Sequence, residues 1–288
     1  MQRKSLCERV NDVADEQIMV ESSTSVQVDR DPRFEQVTRA LDVLQGATVE
    51  PDQEKRIQIG KQALALSREC VEAWLLLARE AVGDTAETKR CLEEAVAAGD
   101  RLFATRKETW RGKFWSVPQT RPYMQARTAL GQVMWDTGER EEAVRVLEDT
   151  LALNPTDHQG VRYVLLKALL ELDRYEQALG LVSGYAEEQS TPMLYARLLT
   201  GYAVHGDSLI ARSAFIAARK YNPYVLDYLL GLRVLPQKLP RAMKPGEESE
   251  AIRYAAVFGD VWERVSGMVD FLRSQKKLRT DKESRKRG

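Results

Sequence analysis

Apolar residues recur at helical spacing along most of the chain. "DPRFEQVTRALDVLQG" sets Phe34, Val37, Ala40, Leu41 and Leu44 on one stripe, which Gly46 ends. "PDQEKRIQIGKQALALSREC" predicts a second helix, with Pro51 near its start and acids in its early turns. "VEAWLLLAREAV" stops at Gly83-Asp84 and is followed by "TAETKRCLEEAVAAGD", which predicts a helical hairpin with a short turn.

From Met124 onward the pattern repeats. "MWDTGEREEAVRVLEDTLALNP" ends at Pro155 and "YAVHGDSLIARSAFIAARKYNP" ends at Pro223. Ala143 and Ala211, Leu147 and Phe215, and the two Asn-Pro pairs are each 68 residues apart, or two units of about 34. A weaker unit, "VRYVLLKALLELDRYEQALGLVSGY", lies between them, with Ala178 and Val182 at the same four-residue spacing. Trp74, Leu77, Ala78 and Ala81 fill the first-helix places of an earlier unit. One such unit cannot bury its apolar face alone, so stacked units share a core. The fold expected is all-α, a tetratricopeptide-like α-solenoid of antiparallel helix hairpins.

Residues 101–123 interrupt the repeat. They hold six basic residues, one acid and five aromatics, and Gly112 and Pro118 argue against one continuous helix. After Pro223 come a short helix, "YVLDYLLGLRVLP", and two helices expected to part at Gly259-Asp260. The boundaries that follow are a polar, mostly disordered arm over 1–30 and a repeat domain over 31–272. The insertion at 101–123 and a non-consensus cap at 224–272 lie within that domain. A basic, disordered tail occupies 273–288.

Composition narrows the classes. Apolar residues make up 43% and charged residues 30%, which suits a protein with a real core, and the formal net charge is zero. No whole-chain field therefore draws in nucleic acid or membrane. The tail alone carries eight basic and two acidic residues. No stretch approaches the roughly 18 apolar residues of a membrane-spanning helix, and the first residues hold no apolar run of signal-peptide length. Cys7, Cys70 and Cys91 stand at no metal spacing, which suits a reducing compartment and a cytoplasmic location.

Catalytic chemistry has little to rest on. His158 and His205 are the only histidines, and neither has a Ser, Cys or Asp at motif spacing. Metal motifs and glycine-rich phosphate loops are missing, so no cofactor is expected. Binding is the better-supported class, on two surfaces. In the insertion, Arg106 and Arg111 supply charge, while Trp110 and Trp115 supply stacking area; the competing reading is that these aromatics pin the loop to the repeats. In the concave groove, first-helix positions outside the packing register are Gln125, Gln132, Arg162, Tyr163, Arg197 and Thr200, and the two arginines could meet acidic groups of a peptide. The function expected is a non-enzymatic scaffold for a protein or peptide partner. The alternative is a nucleic-acid-associated helical-repeat protein that uses the insertion and the tail.

Particular residues carry a family likeness. "NPYVLDYLLG", "GEESEAIRYA" and "WERVSGMVDFL" resemble the C-terminal part of the suppressor-of-tumorigenicity-seven family, and "AWLLLAREAVGDTAETKRCLEEAVAAGD" resembles an earlier repeat of it. "FWSVPQTRPYMQAR" and "NPTDHQGVRYVLLKALLE" are similar to bacterial tetratricopeptide proteins related to that family. The likeness covers roughly residues 55–272. Tyr224 stands where the family has His, and Leu226 where it has a second Pro. Nothing here resembles the membrane-spanning N-terminus of eukaryotic members. The resemblance implies the helical fold more than any activity.

Overall fold

The computed structural model describes residues 31–285, with side chains to Lys276; the proposed arm at 1–30 lies outside the described residues. It is built of helices: α1 (Pro32–Leu44), α2 (Gln53–Leu66), α3 (Val71–Glu80), α4 (Thr85–Leu102), the single turn α5 (Lys107–Trp110), α6 (Arg121–Asp136), α7 (Arg140–Leu153), α8 (Val161–Glu171), α9 (Tyr175–Gly184), α10 (Thr191–His205), α11 (Leu209–Tyr221), the short α12 (Val225–Leu229), α13 (Glu248–Arg264) and α14 (Met268–Arg285). The chain divides into two compact units, Met1–Leu165 and Leu166–Gly288, and the division falls inside α8. No helix among the described residues is long and apolar enough to cross a membrane.

Local chemistry starts and stops these helices. The carboxylates of Asp31, Asp52 and Asp84 accept hydrogen bonds from the first-turn amides of Arg33, Lys55 and Glu87 at 2.9, 3.0 and 2.9 Å. Ser208 caps α11 in the same way, with its hydroxyl accepting from the Ala211 amide at 3.3 Å. The turns after α3, α6, α8 and α10 each contain a left-handed residue: Gly83 (φ 85°), Gly138 (φ 92°), Asp173 (φ 57°) and Gly206 (φ 62°). Of these, Gly83 is the helix stop that the sequence marks.

In unit 1, α3, α4 and α6 share a core of Trp74, Ala78, Leu92, Ala95, Ala126 and Leu130. Its small residues set the helix spacing. A Cβ on Gly131 of α6 would lie 2.9 Å from Leu147 of α7 and 3.6 Å from the Ala143 carbonyl oxygen. In unit 2, a Cβ on Gly201 of α10 would lie 3.4 Å from Ile210 and 4.0 Å from the Ala211 Cα. Ala143 and Ala211 are both fully buried. We expect Ala143→Leu and Ala211→Leu each to overpack its hairpin and cost roughly 1–3 kcal/mol. Thermal melts of the two variants check this; midpoints equal to wild type for both would refute the packing register.

The second unit packs around aromatic rings. Tyr195 of α10 meets Tyr254 and Trp262 of α13 at centroid distances of 5.4 and 6.0 Å, and Phe271 of α14 lies 4.7 Å from Tyr202. Asn222, the C-cap of α11, is fully buried. Its amide donates to Thr191 Oγ1, the Glu247 carbonyl and Glu250 Oε2 at 3.2, 3.1 and 3.3 Å, and its carbonyl accepts from the Tyr195 hydroxyl at 2.7 Å. A buried polar side chain needs such partners, and here they tie α10 and α11 to the start of α13.

Two sequence expectations need correction. The last two helices part at Val265–Gly267, not at Gly259-Asp260, which lies inside α13. Gly267 has φ 74°, which favours glycine, and a Cβ there would stand 2.8 Å from the Tyr202 hydroxyl oxygen and push that tip aside. Val257, Phe258, Val261 and Trp262 around Gly259 are all buried and hold that turn helical. The stretch read as a disordered tail begins as helix, since α14 runs to Arg285. Buried Phe271 and Leu272 anchor it, and Lys276 pairs with Asp227 at 2.5 Å.

Candidate binding surface

The insertion folds as three tight turns. α5 is followed by 3₁₀ turns at Phe114–Ser116 and Pro118–Thr120. Buried Thr120 closes them, with its hydroxyl donating to the Phe114 carbonyl and, at 2.8 Å, to the Val117 carbonyl. The aromatics gather on the body of unit 1. Phe103 at the end of α4 lies 6.3 Å from Phe34, 6.1 Å from Trp110, 6.3 Å from Phe114 and 5.8 Å from Tyr123. Phe103, Phe114 and Tyr123 are essentially buried, while Trp110 and Trp115 are half-buried. The loop is therefore part of the core of unit 1.

Most of its charges are engaged. The Arg106 guanidinium sits over Trp110 at 5.2 Å and that of Arg121 over Trp115 at 5.5 Å. Lys107 pairs with Asp100 at 2.8 Å, and the Tyr123 hydroxyl donates to the same carboxylate at 2.6 Å. Arg127, buried behind them, donates to the Tyr123 hydroxyl at 3.0 Å and to Thr150 at 3.1 Å. Burial pushes the Tyr123 phenol above its ordinary range. Arg111 pairs with Glu108 on the exposed side of α5, and the hydrogen bonds of that pair hold the Glu108 carboxyl below its usual range. Thus the two half-buried indoles read as stacking area each carry a protein cation over one face.

The groove positions divide. Gln125 is exposed on α6. Gln132 and Thr200, read as groove residues, are buried at 3% and 0% exposure. The Thr200 hydroxyl donates to the Ala196 carbonyl of its own helix at 2.7 Å, and neither side chain reaches a free surface. Arg162 and Tyr163 open α8 side by side: the guanidinium stacks over the ring at 4.3 Å and donates to Asp157 Oδ2 at 2.8 Å. Arg197 donates to the Tyr185 and Glu188 carbonyls at 2.6 and 2.9 Å, closing the end of α9. Both arginines hold their own chain together, which the sequence reading did not foresee.

Asp157 was missed altogether. It takes φ 49°, is 3% exposed, and accepts from the Val161 and Arg162 amides at 2.8 Å each, capping α8. Burial outweighs these bonds and raises its carboxyl above the ordinary range. An acid shortly before an apolar helical run was its only signal. His158 and His205 are both exposed; Nδ1 of His158 lies 3.2 Å from the Thr156 hydroxyl.

"Suppressor of tumorigenicity 7 protein-like" from Rattus norvegicus is 26% identical over 255 residues, covering 80% of this chain and 45% of the relative. The human protein of that name is 25% identical over 255 residues, covering 80% of this chain and 44% of its own length. "Protein ST7 homolog" from Caenorhabditis elegans is 26% identical over 271 residues, covering 80% and 49%. The chain spans about half the length of these curated relatives. No solved structure matches it significantly. The sequence profile of the ST7 protein family matches residues 24–279, nearly the whole of the described chain, and the chain belongs to that family.

Proposed function

We propose that this chain is a tetratricopeptide-like helical-repeat scaffold that binds a peptide or a partner protein through its first helices, without catalysing a reaction. One observation carries the reading: hairpins 68 residues apart use the same devices. Gly138 and Gly206 turn the chain at φ 92° and 62°, Asn154 and Asn222 cap the second helices, and Ala143 and Ala211 sit buried at the crossings. Asp173 takes the left-handed turn place of the unit between them. Such units stack into extended surfaces that hold other chains. The setting we propose is the cytoplasm.

On unit 1 the candidate contact residues are Gln125 on α6 and the Arg162–Tyr163 stack at the start of α8. A flat aromatic backed by a fixed guanidinium is the kind of rigid anchor on which binding energy concentrates. The nucleic-acid alternative draws less support, because Arg106 and Arg121 cover one face of each tryptophan it would use for stacking. A steric block tests the reading. Gln125→Trp, at an exposed site, is expected to weaken partner binding roughly tenfold, about 1.4 kcal/mol, whereas Glu148→Trp on the exposed side of α7 leaves it unchanged. Equal binding by both variants, measured by calorimetry with the purified partner, would exclude α6 as the contact helix.

A further inference from the structure

A cleft of ≈ 510 Å³ opens among the first three helices of unit 1, within the size range of small-molecule sites. Its apolar seat is Leu41 and Leu44 of α1, Ala47 of the following turn and Leu76 of α3. Glu72, one helical turn before Leu76, lines the same cleft.

The charges around it are unevenly matched. Arg56 is committed to Glu80, with Nε and Nη2 donating to the two carboxylate oxygens at 2.7 and 2.8 Å, and its remaining nitrogen donates to the Glu50 and Pro51 carbonyls. Glu72 has no such cation among the described residues. Its one side-chain donor is the Cys70 thiol, with Sγ 3.9 Å from Oε2. That thiol is itself neutral, since burial pushes it up to about 12. Burial also raises the Glu72 carboxyl above its usual range. Its place in the first turn of α3 lets the helix dipole favour the carboxylate, but supplies no counter-charge. Arg79, two turns further along the same helix and exposed, also lines the cleft.

We propose that this cleft binds a small molecule made of an apolar chain ended by a protonated amine, with the Glu72 carboxylate as counter-ion and Leu41, Leu44, Ala47 and Leu76 as the apolar seat. The hydrocarbon fills the space between α1 and α3 and excludes water from the ion pair, which strengthens it. Arg79 sets the orientation by repelling the ammonium from its own end. The site is independent of the partner face on α6 and α8.

Calorimetric titration of the full chain with octylamine, octanol and octanoate, each below its micelle concentration, tests this. Wild type is expected to bind octylamine at least about tenfold tighter than either other probe. Glu72→Gln should abolish that preference while leaving the melting temperature near wild type. Gln45→Trp, an exposed plug at the cleft mouth, should weaken all three probes. Equal affinity for the three probes, an amine preference that survives Glu72→Gln, or binding insensitive to Gln45→Trp would each overturn the proposal.

Discussion

Phe114→Ala is expected to destabilise the protein by about 3–5 kcal/mol, although it lies in what reads as a surface insertion. The ring is fully buried and sits between Phe103, Trp110 and Tyr123 at 6.3, 6.4 and 6.0 Å. Its removal leaves a void that the three tight turns cannot close, because Thr120 ties their ends together through the Phe114 and Val117 carbonyls. Arg111→Ala in the same loop loses only an exposed pair with Glu108, and should change stability by less than about 0.5 kcal/mol. Urea unfolding followed by far-UV circular dichroism separates the two. A small effect of Phe114→Ala would mean that the loop is an appendage, and would revive it as a free binding lip. For the same reason, deleting the insertion is a poor probe of binding: it removes core.

Trp262→Ala is the second large effect expected, again about 3–5 kcal/mol. The indole is 1% exposed, meets Tyr195 edge-on at 6.0 Å, and donates from Nε1 to the Tyr254 hydroxyl at 3.1 Å. Trp262→Phe keeps most of the apolar contact and loses that donor, so its cost should be smaller, about 1–3 kcal/mol for an impaired buried polar partner. The ordering of alanine below phenylalanine below wild type, read by the same unfolding method, is the test. Equal stability of all three would show that the tryptophan is not the centre of the second unit's core. Trp262, Tyr254, Tyr195 and the Asn222 network lock α10, α11 and α13 together.

The helices and most of their turns were legible because the determinants are local. Gly83 after Glu80, Asp84 before Thr85 and Asn-Pro at 154–155 and 222–223 each act within a few residues. The division of the insertion at Gly112 and Pro118 was legible for the same reason. Positions that depend on a third element were not. Gln132 and Thr200 lie on first helices like Gln125, but other helices cover them, and a register taken from one hairpin does not say which side the next element packs on. Arg162 and Arg197 read as free cations until Asp157 and the carbonyls of Tyr185 and Glu188 are placed beside them. Gly259 and Gly267 give equal signals in sequence. Only the Tyr202 hydroxyl at 2.8 Å from a virtual Cβ and the positive φ distinguish the second.

The scaffold reading is tested most directly by placing a photo-crosslinking amino acid, one at a time, at Gln125 on α6, at Glu148 on α7 and at Lys113 in the insertion, all exposed positions. With the partner present, the first-helix surface predicts a covalent adduct from position 125 and none from 148 or 113. Adducts from 113 alone, dissolved by nuclease and suppressed steeply by salt, or from 148 in preference to 125, would contradict it.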